Sequence, residues 1–188
     1  MPVFETASLR DFAAAADRRT FLAELLASFT HVASGRVWWR TARGWRRRRY
    51  SDLDPLSLAE LVEAMPATRR AEALRRLGDL ALFLAGVFPD YAARHPIEPR
   101  HLARMTRAIE ATAGPLGAPP FAAGAFPDGG IRMLEWLGRA SYRLAQEQGG
   151  GAGALSDVTT RFVDARRFLN VLTDRYLFPM RERWFPPA

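Results

Sequence analysis

"LGDLALFLAGVF", residues 77–88, carries one charge in twelve positions. A helix that is apolar all round has no face to offer water and belongs inside a fold. The stretch therefore reads as the second half of a central helix, capped at Thr68 after Pro66 and running to about Phe88. Gly78, Ala81, Ala85 and Gly86 are small enough to let neighbouring helices come close. The rest of the chain must supply those neighbours.

It does so as amphipathic segments. Upstream, "SDLDPLSLAELVEAM" (51–65) starts a helix with Asp54 as cap and Pro55 at the first helical position, turning Leu58, Leu61, Val62 and Met65 inward. Nearer the N-terminus, Thr6 or Ser8 opens a helix bearing Leu9, Phe12, Ala13 and Ala16. Thr20 opens another bearing Phe21, Leu22, Leu25, Leu26, Phe29 and Val32, closed by Ser34-Gly35. Downstream, Pro89, Pro96 and Pro99 bracket a turn before a helix over about 100–113. "GPLGAPPFAAGAFPDGG" (114–130) is too rich in Gly and Pro for regular structure. A helix follows over 131–147, then a flexible "GGGAGA" connector over 149–154. Ser156 caps a last helix whose Val158, Phe162, Ala165, Leu169, Leu172 and Tyr176 alternate by four and three, a seam too short to favour a coiled coil over packing within the bundle. The expected fold is mainly α: a single domain over 1–188, a helical bundle of six or seven helices with one inserted β-hairpin at about 36–50, and flexible loops at about 114–130 and 149–154.

The hairpin is "RVWWRTARGWRRRRY", residues 36–50. All 27 basic residues of the chain are arginine, and seven of them (Arg36, Arg40, Arg43, Arg46, Arg47, Arg48 and Arg49) lie here with no acid; the other 20 are matched by 20 acidic residues. The whole formal excess of +7 thus sits in one segment, a focusing that arginine-rich codon usage does not explain. With Arg43-Gly44 at the turn, Ala42 would oppose Trp45, Trp39 would oppose Arg48, Trp38 would oppose Arg49, and Val37 would oppose Tyr50. Val37, Trp39 and Tyr50 then share an inward face, while Arg36, Trp38, Arg40, Trp45, Arg47 and Arg49 share the other. That register sets Arg40 against Arg47, a repulsive pair.

Several chemistries are excluded or disfavoured. There is no cysteine, hence no disulfide, thiolate nucleophile or thiolate-held metal, which suits a reducing compartment. His31, His95 and His101 have no zincin-like spacing, and no Glu-x-x-His pair, nucleophile elbow or phosphate-binding glycine loop is present. Asp79, inside the most apolar stretch, is costly to bury unless paired; the simplest partner is an arginine such as Arg75 or Arg76, or one on another helix. Glu135 and Asp164 are expected to face solvent. No catalytic residue, metal or cofactor is expected, and the inventory is weighted against an enzyme. "MPVFETASLRDF" lacks a basic stretch followed by an apolar run, and no run spans a bilayer, so a cytoplasmic protein is expected.

"LRRLGDLALFLAGVFPD" (74–90) and "LGRASYRLA" (137–145), with "DPLSLAEL" upstream, resemble a family of uncharacterised bacterial helical proteins that share a Leu-Gly-Asp-x-x-Leu-Phe-x-x-Gly-x-Phe-Pro helix and a Gly-x-x-x-Tyr helix. The similarity covers about a quarter of the chain. It implies a helical fold and structural weight on Gly78, Asp79, Phe83, Gly86, Gly138 and Tyr142; it implies no activity. The chain departs from the pattern at Ile131-Arg132-Met133, where that family has a tyrosine pair.

The expected function is a non-catalytic binding module. Arg36, Trp38, Arg40, Trp45, Arg46, Arg47, Arg48 and Arg49 would meet an anionic partner, nucleic acid first, because guanidinium forks match phosphates and indoles stack on bases. One alternative is an interaction or scaffold protein that forms a homodimer or docks on an acidic protein partner. Another is a small-molecule pocket between helices, roofed by the 114–130 loop.

Overall fold

In the computed structural model, which describes residues 7–31, 34–41, 44–119, 128–149, 151 and 153–179, the apolar run lies on the 21-residue helix α4 (Ala67–Val87). Leu74, Leu77, Leu80, Ala81, Leu82 and Ala85 of this helix are wholly buried. Around it are α1 (Ala7–Ala14), α2 (Ala16–Ser28), α3 (Pro55–Ala64), the short α5 (Pro89–Arg94), α6 (Pro99–Glu110), α7 (Gly129–Glu147), α8 (Ala154–Thr160) and α9 (Phe162–Leu172), which runs into a π-helical turn, Thr173–Leu177. β1 (Ser34–Thr41) and β2 (Gly44–Ser51) form a two-stranded antiparallel ribbon between α2 and α3. The protein is mainly α, with α4 touching α2, α3, α5, α7 and α9.

Close approach explains the glycines of α4 and α7. A Cβ on Gly78 would stand 2.3 Å from Tyr142 Cδ1, one on Gly138 would stand 2.3 Å from Phe162 Cζ, and one on Gly86 would stand 2.8 Å from Leu169. Tyr142 of α7 and Phe162 and Leu169 of α9 thus seat on bare backbone. Phe83 stacks on Phe29 at 4.2 Å between ring centres and meets Phe88 edge-on. At the start of α7, Gly130 lies against the Ala92 carbonyl of α5, where a Cβ would be 2.0 Å from the oxygen. α7 therefore begins inside the stretch read as the 114–130 loop; residues 120–127 of that loop lie outside the described residues, and Leu116 at its start is buried.

Among the described residues there are nine α-helical segments rather than six or seven, for two reasons. Pro89 supplies an N1 residue immediately after α4, so Pro89–Arg94 closes a helical turn where only a bend was read. The last helix is kinked at Arg161 (φ −103°, ψ 32°), whose guanidinium reaches Asp164 as well as Asp11 and the Ser8 carbonyl of α1. The seam on either side of the kink holds: Val158, Phe162, Ala165 and Leu169 are wholly buried, whereas Tyr176 is exposed. Helix starts also shift. α2 begins at Ala16, so Thr20 is interior, and Ser34-Gly35 belong to β1; α4 and α8 begin at Ala67 and Ala154 rather than behind Thr68 and Ser156. Asp54 caps α3 as read, accepting from the Leu56 amide at 3.1 Å.

An exposed helical glycine replaced by alanine gains roughly 1 kcal/mol of helix propensity. Gly78→Ala is expected to reverse that sign, losing about 1–3 kcal/mol through overpacking on Tyr142. Denaturant unfolding measures it; unchanged or raised stability would contradict the packing described.

Candidate functional site

The ribbon's register is Ser34↔Ser51, Gly35↔Tyr50, Arg36↔Arg49, Val37↔Arg48, Trp38↔Arg47, Trp39↔Arg46, Arg40↔Trp45 and Thr41↔Gly44. Relative to the register read from the sequence, each β1 residue pairs two positions earlier on β2. The connection is Ala42-Arg43, which lies outside the described residues, and Gly44, with φ +109°, is the first residue of β2. Two contacts explain the shift. Tyr50 lies across Gly35, where a Cβ would be 3.3 Å from its ring, so the aromatic covers a position with no side chain. Arg47 comes opposite Trp38, its guanidinium 5.5 Å from the indole centre. The Arg40–Arg47 opposition is thereby replaced by two arginine–tryptophan pairings.

Because side chains alternate with period two, a two-residue slip leaves the faces unchanged. Positions 36, 38, 40, 45, 47 and 49 therefore share one face, in three rows: Arg36/Arg49, Trp38/Arg47 and Arg40/Trp45. Trp38 and Trp45, diagonal neighbours, are 57% and 68% exposed, which excludes a core role for either. Arg36 and Arg47 are exposed beside them. Positions 46 and 48 alternate to the opposite face, the one bearing the half-buried Tyr50, so Arg46 and Arg48 are not brought together with the other six. That face is tied to the bundle. Tyr50 packs against the core, the Ser51 amide donates to Ser57 Oγ at 3.2 Å, and Asp52 accepts from Arg76 at 3.0 Å.

Asp79 is paired, but not with an arginine. Its Oδ1 accepts from the Tyr142 hydroxyl at 2.7 Å, while Arg76 is drawn to Asp52 and Ser28 and Arg75 lies over the Phe21 ring. Burial pushes the Asp79 carboxyl above the usual carboxylate range, against the opposing pull of the Tyr142 hydrogen bond and of Arg75 and Arg76. Burial, reinforced by the Asp79 charge, holds the Tyr142 hydroxyl well above its ordinary range, so it remains a donor. Asp79 also borders a small cavity of about 210 Å³ with Glu24, Ser28 and Arg75, too small for more than a few waters or a small ion. The Asp79–Tyr142 hydrogen bond fastens α4 to α7.

Glu135 and Asp164 do not simply face solvent. Glu135 accepts from Arg166 across α7 and α9 at 2.6 Å, and Asp164 from Arg161 at 3.1 Å, all four side chains about four-fifths shielded. His95 stacks on Tyr91, and His31 Nδ1 is 3.0 Å from Thr30 Oγ1. Among the described residues, no three histidine, aspartate or glutamate side chains gather as metal ligands, and no helix is long and apolar enough to cross a membrane. Sequence reasoning misses Arg139 of α7 and Arg167 of α9, which line one cleft only through folding; the visible trace is the spacing of Arg132, Arg139 and Arg143 along one helix. Comparison with protein families, curated proteins and solved structures yields no match.

Two outcomes follow from this geometry. Tyr50→Ala is expected to cost about 1–3 kcal/mol of stability, while Trp45→Ala, though it removes a larger ring, stays within about 0.5 kcal/mol; equal losses in thermal unfolding would contradict the assigned faces. For Asp79, a raised folded pKa gives stability that is full below the ordinary carboxylate range and declines as pH rises through the folded value. Asp79→Asn keeps an acceptor for Tyr142 without that decline, so its melting temperature relative to the parent should rise between about pH 4 and pH 7. A pH-independent difference would contradict it.

Proposed function

We propose that the protein is a non-catalytic binding module that contacts nucleic acid through the outward face of the ribbon. The observation that carries this reading is the pairing register, which puts Arg36, Trp38, Arg40, Trp45, Arg47 and Arg49 on one face with both indoles mostly in water. Exposing two indoles is unfavourable for an isolated chain, and Arg36 opposite Arg49 places like charges across the strands. A partner carrying phosphates and unpaired bases offsets both costs at once. Phosphate oxygens take the guanidinium forks, and bases stack on Trp38 and Trp45. The exposed flat rings favour single strands, though a two-stranded ribbon also matches the width of a duplex major groove. Arg46 and Arg48 on the other face add to the local positive field that draws a polyanion in.

Another reading, a scaffold or interaction protein, is favoured by one observation. Leu53, Phe83, Phe88, Tyr91, Ile97 and Leu134 line an apolar groove of about 390 Å³, and Phe88 and Tyr91 are exposed. An acidic protein partner would use the same arginines, but without a demand for stacking.

Fluorescence anisotropy with labelled single-stranded and duplex oligonucleotides separates these readings. If about four phosphates are neutralised, affinity for a single strand should fall on the order of fifty-fold between 50 and 200 mM salt. Trp38→Ala with Trp45→Ala should weaken single-strand binding about tenfold or more. Arg36→Ala, Arg47→Ala and Arg49→Ala together should flatten the salt dependence. Binding that is insensitive to salt, or absent at 50 mM, would overturn the proposal.

A further inference from the structure

A second basic feature lies away from the ribbon, in a cleft of about 630 Å³ between α7 and α9. This is within the roughly 300–1,000 Å³ of small-molecule sites. Arg132, Arg139 and Arg143 of α7 and Arg166 and Arg167 of α9 line it, against two carboxylates, Asp128 and Glu135. Trp136 lies in the same stripe of α7, four residues after Arg132 and three before Arg139, and presents a half-buried ring to the cleft.

Three of these five arginines are engaged by the protein itself. Arg132 pairs with Asp128 at 2.9 Å; Arg166 pairs with Glu135 at 2.6 Å and donates to Asn170 at 2.9 Å; Arg143 donates to the Pro115 and Leu116 carbonyls at 3.3 and 3.2 Å. Arg139 and Arg167 are different. They stand on the two walls, both exposed, and among the described residues neither has a hydrogen-bond or ion-pair partner. Five positive side chains face two carboxylates in the lining and Glu147, 3.8 Å from Arg143, which leaves the cleft short of about two negative charges. The paired arginines fix the walls, and the unpaired guanidiniums are left to a ligand.

We propose that this cleft binds a small molecule carrying two or more phosphate groups, with Arg139 and Arg167 taking phosphate oxygens from opposite walls. Guanidinium forks match phosphate oxygens in bidentate geometry, and several charges are needed to balance the lining. Two carboxylates in a concave wall disfavour a long polyanion, which would have to pass them. Trp136 offers a surface for a planar ring, so a nucleoside diphosphate should bind more tightly than pyrophosphate. The site is independent of the ribbon and of the nucleic-acid reading.

Isothermal titration of the whole chain at low salt with pyrophosphate, ADP and citrate tests this. The expected result is saturable one-to-one binding of pyrophosphate, tighter binding of ADP, and weaker binding of citrate. Arg139→Gln with Arg167→Gln should weaken pyrophosphate about tenfold or more, since each removes a charge-assisted hydrogen bond. Both residues are exposed, so the unliganded melting temperature should hold. Trp38→Ala with Arg47→Ala on the ribbon should leave the titration unchanged. No saturable heat, equal affinity in the glutamine pair, citrate matching pyrophosphate, or loss in the ribbon variant would overturn the proposal. The last outcome would place the small anion on the hairpin instead. Failure of the oligonucleotide assay would leave this titration unaffected.

Discussion

The contact on which the rest of the structure depends is the seating of Tyr142 on Gly78, with its hydroxyl donating to Asp79. It brings the ring against bare backbone, so α4 and α7 approach more closely than any side chain at position 78 would permit. The neighbouring glycines repeat the device. Phe162 enters over Gly138 and Leu169 over Gly86, which fixes α9 relative to both helices. A buried carboxyl in that position would be costly unpaired, and the Tyr142 hydroxyl is what makes it tolerable. Asp79 therefore specifies which turn of α7 meets which turn of α4. The α7–α9 cleft, with Glu135 and Arg166 bridging it, inherits its width from those three glycine contacts.

The ribbon is governed by a different constraint. Among its described side chains Tyr50 packs against the core, and its polar ties run through Ser51 and Asp52 to α3 and α4. In the bundle several arginines are balanced by acids: Arg76 by Asp52, Arg104 by Glu60, Arg161 by Asp164, Arg166 by Glu135. In the ribbon no acid is present to do this. Arg47 instead lies over the Trp38 indole, which holds a guanidinium over a ring without cancelling its charge. The chain's whole formal excess of charge thus sits on this one element.

Much of this was legible in the chain. Twelve residues with one charge mark α4, Asp54-Pro55 marks the start of α3, and the partition of 36–50 into two faces follows from alternation alone. Counting Gly44 into the turn shifts the register by two, because Gly44 begins β2; the faces are unchanged because the shift is even. Other features depend on distance contacts that no local pattern encodes. Tyr142 is 63 residues from Asp79, so nearby Arg75 and Arg76 looked like better partners than it did. The kink at Arg161 comes from α1, 150 residues away, and the shielding of Glu135 from a helix that packs only after folding. Arg139 and Arg167 likewise become a pair only across a cleft.

The central claim is that nucleic acid lies on the Arg36–Trp38–Arg40–Trp45–Arg47–Arg49 face. Ultraviolet cross-linking of the whole chain to a single-stranded oligonucleotide, followed by peptide mass mapping, addresses that most directly. Adducts concentrated on Trp38 and Trp45, and suppressed by raised salt, are the predicted result. Adducts absent from the ribbon, or concentrated at Trp136 in the α7–α9 cleft, would contradict it.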